Sequence, residues 1–299
     1  MSTSDDASSW RWWATIGVCL VLLVAPVAFI LMFAADDSAT EGSRTPRSDE
    51  VEDVGMAHVH GLGVNPASSE LVAATHFGVF VVRDGTATRV GPAQDTMGFT
   101  ITGPDTFLAS GHPDFAVDDE PLLGLIRSND GGRSWNSVSR RGISDFHALQ
   151  AAHGQVYGYD ATAEQFLVST DGRNWQLRAA LDLRDFAVDP TDPDRLIATD
   201  DSSTLISTSG GRTWQPLAAP RLQVVSWPEA DMLYGIDADG RVHLSRDAGL
   251  RWSALGTVGG APNAIAVAPD GAVYVAVEAV GIVRSDDGGR SFVPVYQLE

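Results

Sequence analysis

The stretch SNDGGRSW, residues 128–135, returns four times downstream with small changes: STDGRNW from Ser169, STSGGRTW from Ser207, SRDAGLRW from Ser245 and SDDGGRSF from Ser285. The opening serines are 41, 38, 38 and 40 residues apart. A period near 40 with several short β-rich runs per unit is the pattern of a β-propeller blade. Around Ser207 the runs DFAVDP, RLIATD, TLISTS and RTWQPLA read as four strands separated by turn residues, and AIAVAP, AVYVAV, GIVRSD and RSFVPV repeat them at the C-terminal end. One degenerate copy lies upstream as HGLGVNP, ELVAATH, GVFVVRDG and ATRVG, keeping only Asp84-Gly85 of the octet. The pattern predicts an all-β, six-bladed propeller over residues 57–299.

The octet falls between the third and fourth strands of each unit, where the chain reverses. Asp and Ser side chains accept hydrogen bonds from turn N–H groups, and glycines permit positive φ. The closing Trp offers a large apolar surface to the neighbouring sheet. The copies decay as a packing device can, with Ser209 in place of Asp and Phe292 in place of Trp. The octet therefore reads as structural.

The pattern S-x-D-x-G-x-x-W resembles the Asp-box, or BNR repeat, of sialidases, sortilin-type receptors, some polysaccharide hydrolases and a photosystem II assembly factor. The whole chain also resembles small membrane-anchored bacterial propellers described as glycosyl hydrolase-like. The resemblance implies a fold rather than a chemistry, because propellers of this kind share little mechanism.

Hydrophobic content of 44% suits a globular core, and the formal charge is −19 with no lysine among the 20 basic residues. So acidic a chain is a poor nucleic-acid binder, since phosphate affinity rests on basic side chains. The single cysteine, Cys19, excludes an intramolecular disulfide. Val18 stands where a lipoprotein site would want a small residue. Residues 14–35 carry no charge and as a helix would span about 33 Å, the thickness of a bilayer core. Trp10, Trp12 and Trp13 sit where an interfacial aromatic belt belongs. The expected layout is a cytoplasmic tail (1–13), a transmembrane helix (14–35), a polar linker (36–56) and a propeller outside the cytoplasm, at the cell membrane.

In a blade of four antiparallel strands, the first strand starts on the face where the second ends, opposite the octet turns. Alignment by turns puts His60, Gly98, His147, Arg184, Leu222 and Asn263 near the start of the innermost strands, with His58 and Asp145 two residues earlier. The ends of the second strands carry His76, His112, Asp160, Asp200, Asp237 and Glu278. Five of the seven histidines should thus meet at one mouth of the ring, while His153 and His243 look ordinary. A His-x-His pair with further imidazoles and carboxylates suits zinc or copper, with His58, His60, His76 and His112 as candidate ligands. The bland alternative is a set of imidazoles hydrogen-bonded around a wet channel. The loop GHPDFAVDDEPL, residues 111–122, adds Asp114, Asp118, Asp119 and Glu120 to that face, as a lid, a cation-attracting flap or a solvated acidic loop.

Three functional classes compete. The sialidase resemblance would imply an arginine triad, a Tyr–Glu pair and an Asp acid, but F/Y-R-I-P is absent and HVHGLG holds the comparable early stretch. Only Arg184 and Arg221, with Tyr159 nearby, suit that face. A different glycoside hydrolase needs two carboxylates at a defined separation, for which Asp145 and Asp160 are the candidates. The third class is a non-catalytic, membrane-tethered module binding a metal, small molecule, glycan or protein, with His147, Arg184, Asp200, Asn263 and Glu278 as ligand-binding candidates. No nucleophile triad, phosphate-cradling loop or zinc-protease motif compels an enzyme.

Overall fold

The computed structural model describes residues 56–298 apart from Phe115; the expected tail, anchor and linker lie outside them, save Met56. Among the described residues no helix is long and apolar enough to cross a membrane. There are 24 strands in six antiparallel sheets, each built from four consecutive strands. The first blade comprises β1 (Val59–Val64), β2 (Leu71–Thr75), β3 (Gly78–Arg83) and β4 (Thr86–Val90). The second has β5 (Asp95–Gly103), β6 (Thr106–His112), β7 (Leu125–Ser128) and β8 (Asn136–Ser139). The third blade runs β9 (Phe146–Ala152) to β12 (Trp175–Ala180), and the fourth β13 (Asp185–Val188) to β16 (Gln215–Pro216). The fifth runs β17 (Leu222–Glu229) to β20 (Ser253–Thr257), and the sixth β21 (Pro262–Val267) to β24 (Val293–Gln297). The six-bladed propeller expected from the period is present, and its strands fall where the apolar runs place them.

Why the blades form a ring is visible in the core. There are six clusters of buried side chains, and each spans two adjacent blades rather than lying within one. Phe107 and Ala109 of the second blade, for example, pack with Val72 and Val79 of the first. The octet aromatics do what the sequence predicts, each leaning on the preceding blade. Trp135 joins the cluster containing Val79, Trp214 meets Phe166, Trp252 lies with Ile197, and Phe292 lies with Val242. Fully burying such a side chain contributes about 1.5–3 kcal/mol, so the interfaces hold the ring together. The sixth blade closes on the first by side-chain packing alone, through Ile282 and Ala276 against Val59 and Phe80.

The octet is a self-contained turn. Ser128, fully buried at the end of β7, donates from Oγ to Asp130 Oδ1 at 2.7 Å and accepts from the Gly132 N–H at 2.8 Å. Asp130 Oδ1 also accepts from the Ser134 N–H at 2.9 Å. Gly132 has φ of +90°, a conformation only glycine adopts without strain. The same bonds recur from Ser285 and Ser245. In the fourth blade Ser209 replaces the aspartate and still accepts from the Thr213 N–H at 2.9 Å, which explains why that copy tolerates the change.

These turns give the fold an acid limit. The Ser134 hydroxyl and N–H, with the Ser128 hydroxyl, hold the Asp130 carboxyl down to about 2. Donors led by the Asn174, Arg251 and Ser291 groups lower Asp171, Asp247 and Asp287 in the same way. An aspartate in the unfolded chain titrates near pH 4, so the folded state binds protons less readily. The stabilisation is complete above about pH 4 and is lost as pH falls towards 2. Asp130→Ala should therefore lower the melting temperature at pH 7, and the gap from the wild type should close by about pH 2. Melting curves that stay equally separated at both ends would assign the effect to packing instead.

Candidate functional site

The six innermost strands line an axial cavity of about 400 Å³. At one end of it the first three blades bring together His58, His60, His76, His112 and His147, as expected, with Asp95 and Asp145. His60 Nε2 lies 3.3 Å from His76 Nδ1, and Asp95 Oδ1 is 3.0 Å from His76 Nδ1 and 3.7 Å from His60 Nε2. The His58 ring packs 4.9 Å from that of His60 and 5.8 Å from that of His76, between centroids. Asp95 Oδ2 faces His112 Nδ1 at 3.3 Å. The other nitrogen of that ring is 3.6 Å from Asp145 Oδ2, which also lies 2.7 Å from His147 Nε2.

β-Bulges aim these side chains. The pairing of β1 with β2 is interrupted at His60, that of β9 with β10 (Gln155–Asp160) at His147, and that of β21 with β22 (Val273–Val277) at Asn263. An extra residue on one strand turns its side chain out of the sheet, here towards the mouth. Because β9 alternates, Asp145 and His147 flank Phe146, whose ring is fully buried.

The bulges also explain what sequence alignment missed. In β5 the irregularity lies between Thr96 and Phe99, and Asp95 pairs directly with His112. This makes Met97, not Gly98, the counterpart of His147, and puts Asp95 in the place of Asp145. Asp95 was the unrecognised member of the site; its spacing from Met97 repeats that of Asp145 from His147. The fifth blade shows the same offset. Leu222 is fully buried in the core, and Gln223 occupies the bulge. A one-residue slip sends a side chain to the opposite face.

That slip also corrects the placing of Asp160 on the ligand face. It is the paired residue opposite Phe146 and is fully buried. The Asp145 N–H approaches its Oδ1 at 3.4 Å, and Arg140 Nη2 lies 3.5 Å from its Oδ2. A ligand in the mouth has no surface of Asp160 to touch, so it braces the Asp145 backbone. Tyr159 is buried too, donating to Asp182 Oδ1 at 2.7 Å, and burial pushes its hydroxyl up to about 12.

Of the other candidates, Asn263 Nδ2 sits 3.4 Å from His58 Nδ1, and Glu278 lines the same recess as that pair. Arg184 is exposed at the cavity mouth and, among the described residues, its guanidinium has no carboxylate within ion-pair distance. Asp200 is occupied locally, accepting from the Ser202 and Ser203 N–H groups at 2.6 Å. Burial opposes its ionisation, but these donors win and hold its carboxyl below the ordinary range. Asp237 is held by His243 at 2.8 Å, and His153 bonds the Asp189 carbonyl at 2.7 Å, so both of those histidines are structural. In the acidic loop after β6, Asp119 pairs with Arg141.

The electrostatics favour neutral imidazoles. Burial, reinforced by His76, His58, His147 and His112, pushes His60 down to about 3. Burial and His76 lower His58 as well. Deeper on the cavity wall, burial raises Asp185 to about 6, although the Val225 and Phe186 N–H groups each donate to it at 2.8 Å.

No protein-family model matches the sequence, and no curated protein matches it. Solved structures do resemble the fold. The chain superposes on a structure described as a nidogen/laminin complex with a TM-score of 0.61 at 15% identity, covering 75% of this chain and 92% of that one. A gluconolactonase from Xanthomonas campestris gives 0.60 at 14% identity, covering 75% and 84%. A GH74 xyloglucanase from the same organism gives 0.51 at 19%, covering 79% of this chain and 38% of that enzyme. At these identities the likeness is one of fold, and what it establishes is an all-β, six-bladed propeller among lactonase, glycosidase and binding-module neighbours.

Proposed function

We propose that the protein is a metal-binding propeller that holds a zinc or copper ion at His60 Nε2, His76 Nδ1 and Asp95 Oδ1. The supporting observation is the size of that triangle. Its edges are 3.3, 3.0 and 3.7 Å. Ligand atoms about 2.0–2.1 Å from a tetrahedral ion stand about 3.3–3.4 Å apart. Three donors already spaced as one tetrahedral face leave the fourth position for water, His58 or an external ligand. Neutral imidazoles are the form that binds metal, and the depression of His60 keeps it so. Within this proposal the propeller is of the Asp-box kind, tethered through residues 14–35 and displayed outside the cytoplasm. Arg184, Asn263, Glu278 and His147 border the ligand's approach.

Calorimetric titration of the full chain with zinc and with copper(II) tests the reading. Binding well below millimolar supports it, and no binding tighter than about 1 mM overturns it.

A second reading, glycoside hydrolysis, draws on the axial cavity and on Asp185, whose pKa near 6 suits proton transfer. With Asp160 enclosed, Asp145 and Asp185 become its carboxylates. Turnover of aryl glycosides that falls at least tenfold in Asp145→Asn and Asp185→Asn would support it; turnover unchanged in both would remove these residues from any mechanism.

A further inference from the structure

The first ion uses Asp95 Oδ1 and two histidines, and leaves the rest of the row unexplained. His112 is the informative member. Its Nδ1 faces Asp95 Oδ2 at 3.3 Å and its Nε2 faces Asp145 Oδ2 at 3.6 Å. A neutral imidazole has one N–H and can satisfy only one of two carboxylates. The other contact then sets a nitrogen lone pair against a carboxylate oxygen, which something positive must bridge.

The same point needs positive charge for a second reason. Asp145 is 4% exposed, and its Oδ1 has no hydrogen-bond partner. A buried carboxylate oxygen left unpaired carries a desolvation cost. Its Oδ2 is approached by two imidazole nitrogens, His112 Nε2 and His147 Nε2 at 2.7 Å. A carboxylate free to offer both oxygens, with two imidazole nitrogens beside it, is a donor set for a divalent transition metal. The Arg140 guanidinium is directed instead to Asp160.

We propose a second divalent metal site, formed by Asp145, His112 Nε2 and His147 Nε2. It joins the first through the Asp95–His112 contact, so that Asp95 serves both. The inference rests on the first site being a metal site. Each ion lies between blades, the first bridging blades one and two and the second bridging blades two and three.

The experiment is zinc stoichiometry on the full chain, by calorimetry and by metal analysis after dialysis. The wild type should bind two zinc ions. His147→Ala and Asp145→Asn should each bind one, and His76→Ala should also bind one, having lost the other site. Because Asp145 is buried, melting curves accompany every variant, and His147→Gln, at an exposed position, gives a second variant at the same site. One zinc in the wild type, lost in His76→Ala but unaffected by His147→Ala and His147→Gln, would overturn the second site and leave the first standing. It would identify Asp145–His147 as a hydrogen-bonded pair only. No zinc in the wild type would overturn both.

Discussion

Asp95→Ala is expected to weaken zinc binding at least a hundredfold and to empty both proposed sites, while the ring remains folded. The carboxylate is the one group contacting both halves of the cluster, with Oδ1 beside His60 and His76 and Oδ2 beside His112. Orienting partners of metal ligands alone are worth 10- to 100-fold in affinity, and Asp95 is proposed as a ligand as well as the support of His112. The fold loses little, because Asp95 stands at the first position of β5, half-buried at the mouth and outside every apolar cluster. Removing the carboxylate also relieves a concentration of negative charge. Zinc calorimetry alongside thermal melting checks both halves. Unchanged zinc affinity in a folded variant would mean that the histidines bind metal, if at all, without the carboxylate.

Phe146→Ala should cost about 3–5 kcal/mol, the range for large-to-small aromatic changes in a packed core. Its ring is fully buried, stacks on Trp175 with centroids 4.8 Å apart, and occupies space that Gly158 leaves open, where a Cβ would lie 2.6 Å from it. The loss should spread to the mouth, because Phe146 pins the strand segment carrying Asp145 on one side and His147 on the other. Urea denaturation measures the first effect, with the milder Phe146→Leu as the variant for metal work. A loss below about 1 kcal/mol would show that the neighbouring blade holds β9 without this ring.

The blades were legible from sequence because their determinants are local. An octet turn needs only its own Ser, Asp and Gly, and each copy announces the strands on either side. The meeting of five histidines was legible for a related reason, since antiparallel alternation sends first-strand starts and second-strand ends to one face. The register within that face was not. Bulges shift it by one residue, and a bulge depends on how two strands pair rather than on either strand alone. Asp95 was overlooked on that account, while Leu222 and Asp160 were assigned to the mouth although the core encloses them. Residues 14–35, read as an anchor from their uncharged run, lie outside the described chain.

Each sheet takes four consecutive strands, so the first and last blades exchange no backbone. Leu298 and Met56 pack in one cluster at the seam between them, which sets the two chain ends side by side. The ring has in this sense no privileged beginning. A circularly permuted chain, cut at any crossing between blades and joined from Leu298 to Met56 by a short linker, would keep all six sheets whole. Such a chain would assemble the same mouth from a different order of synthesis.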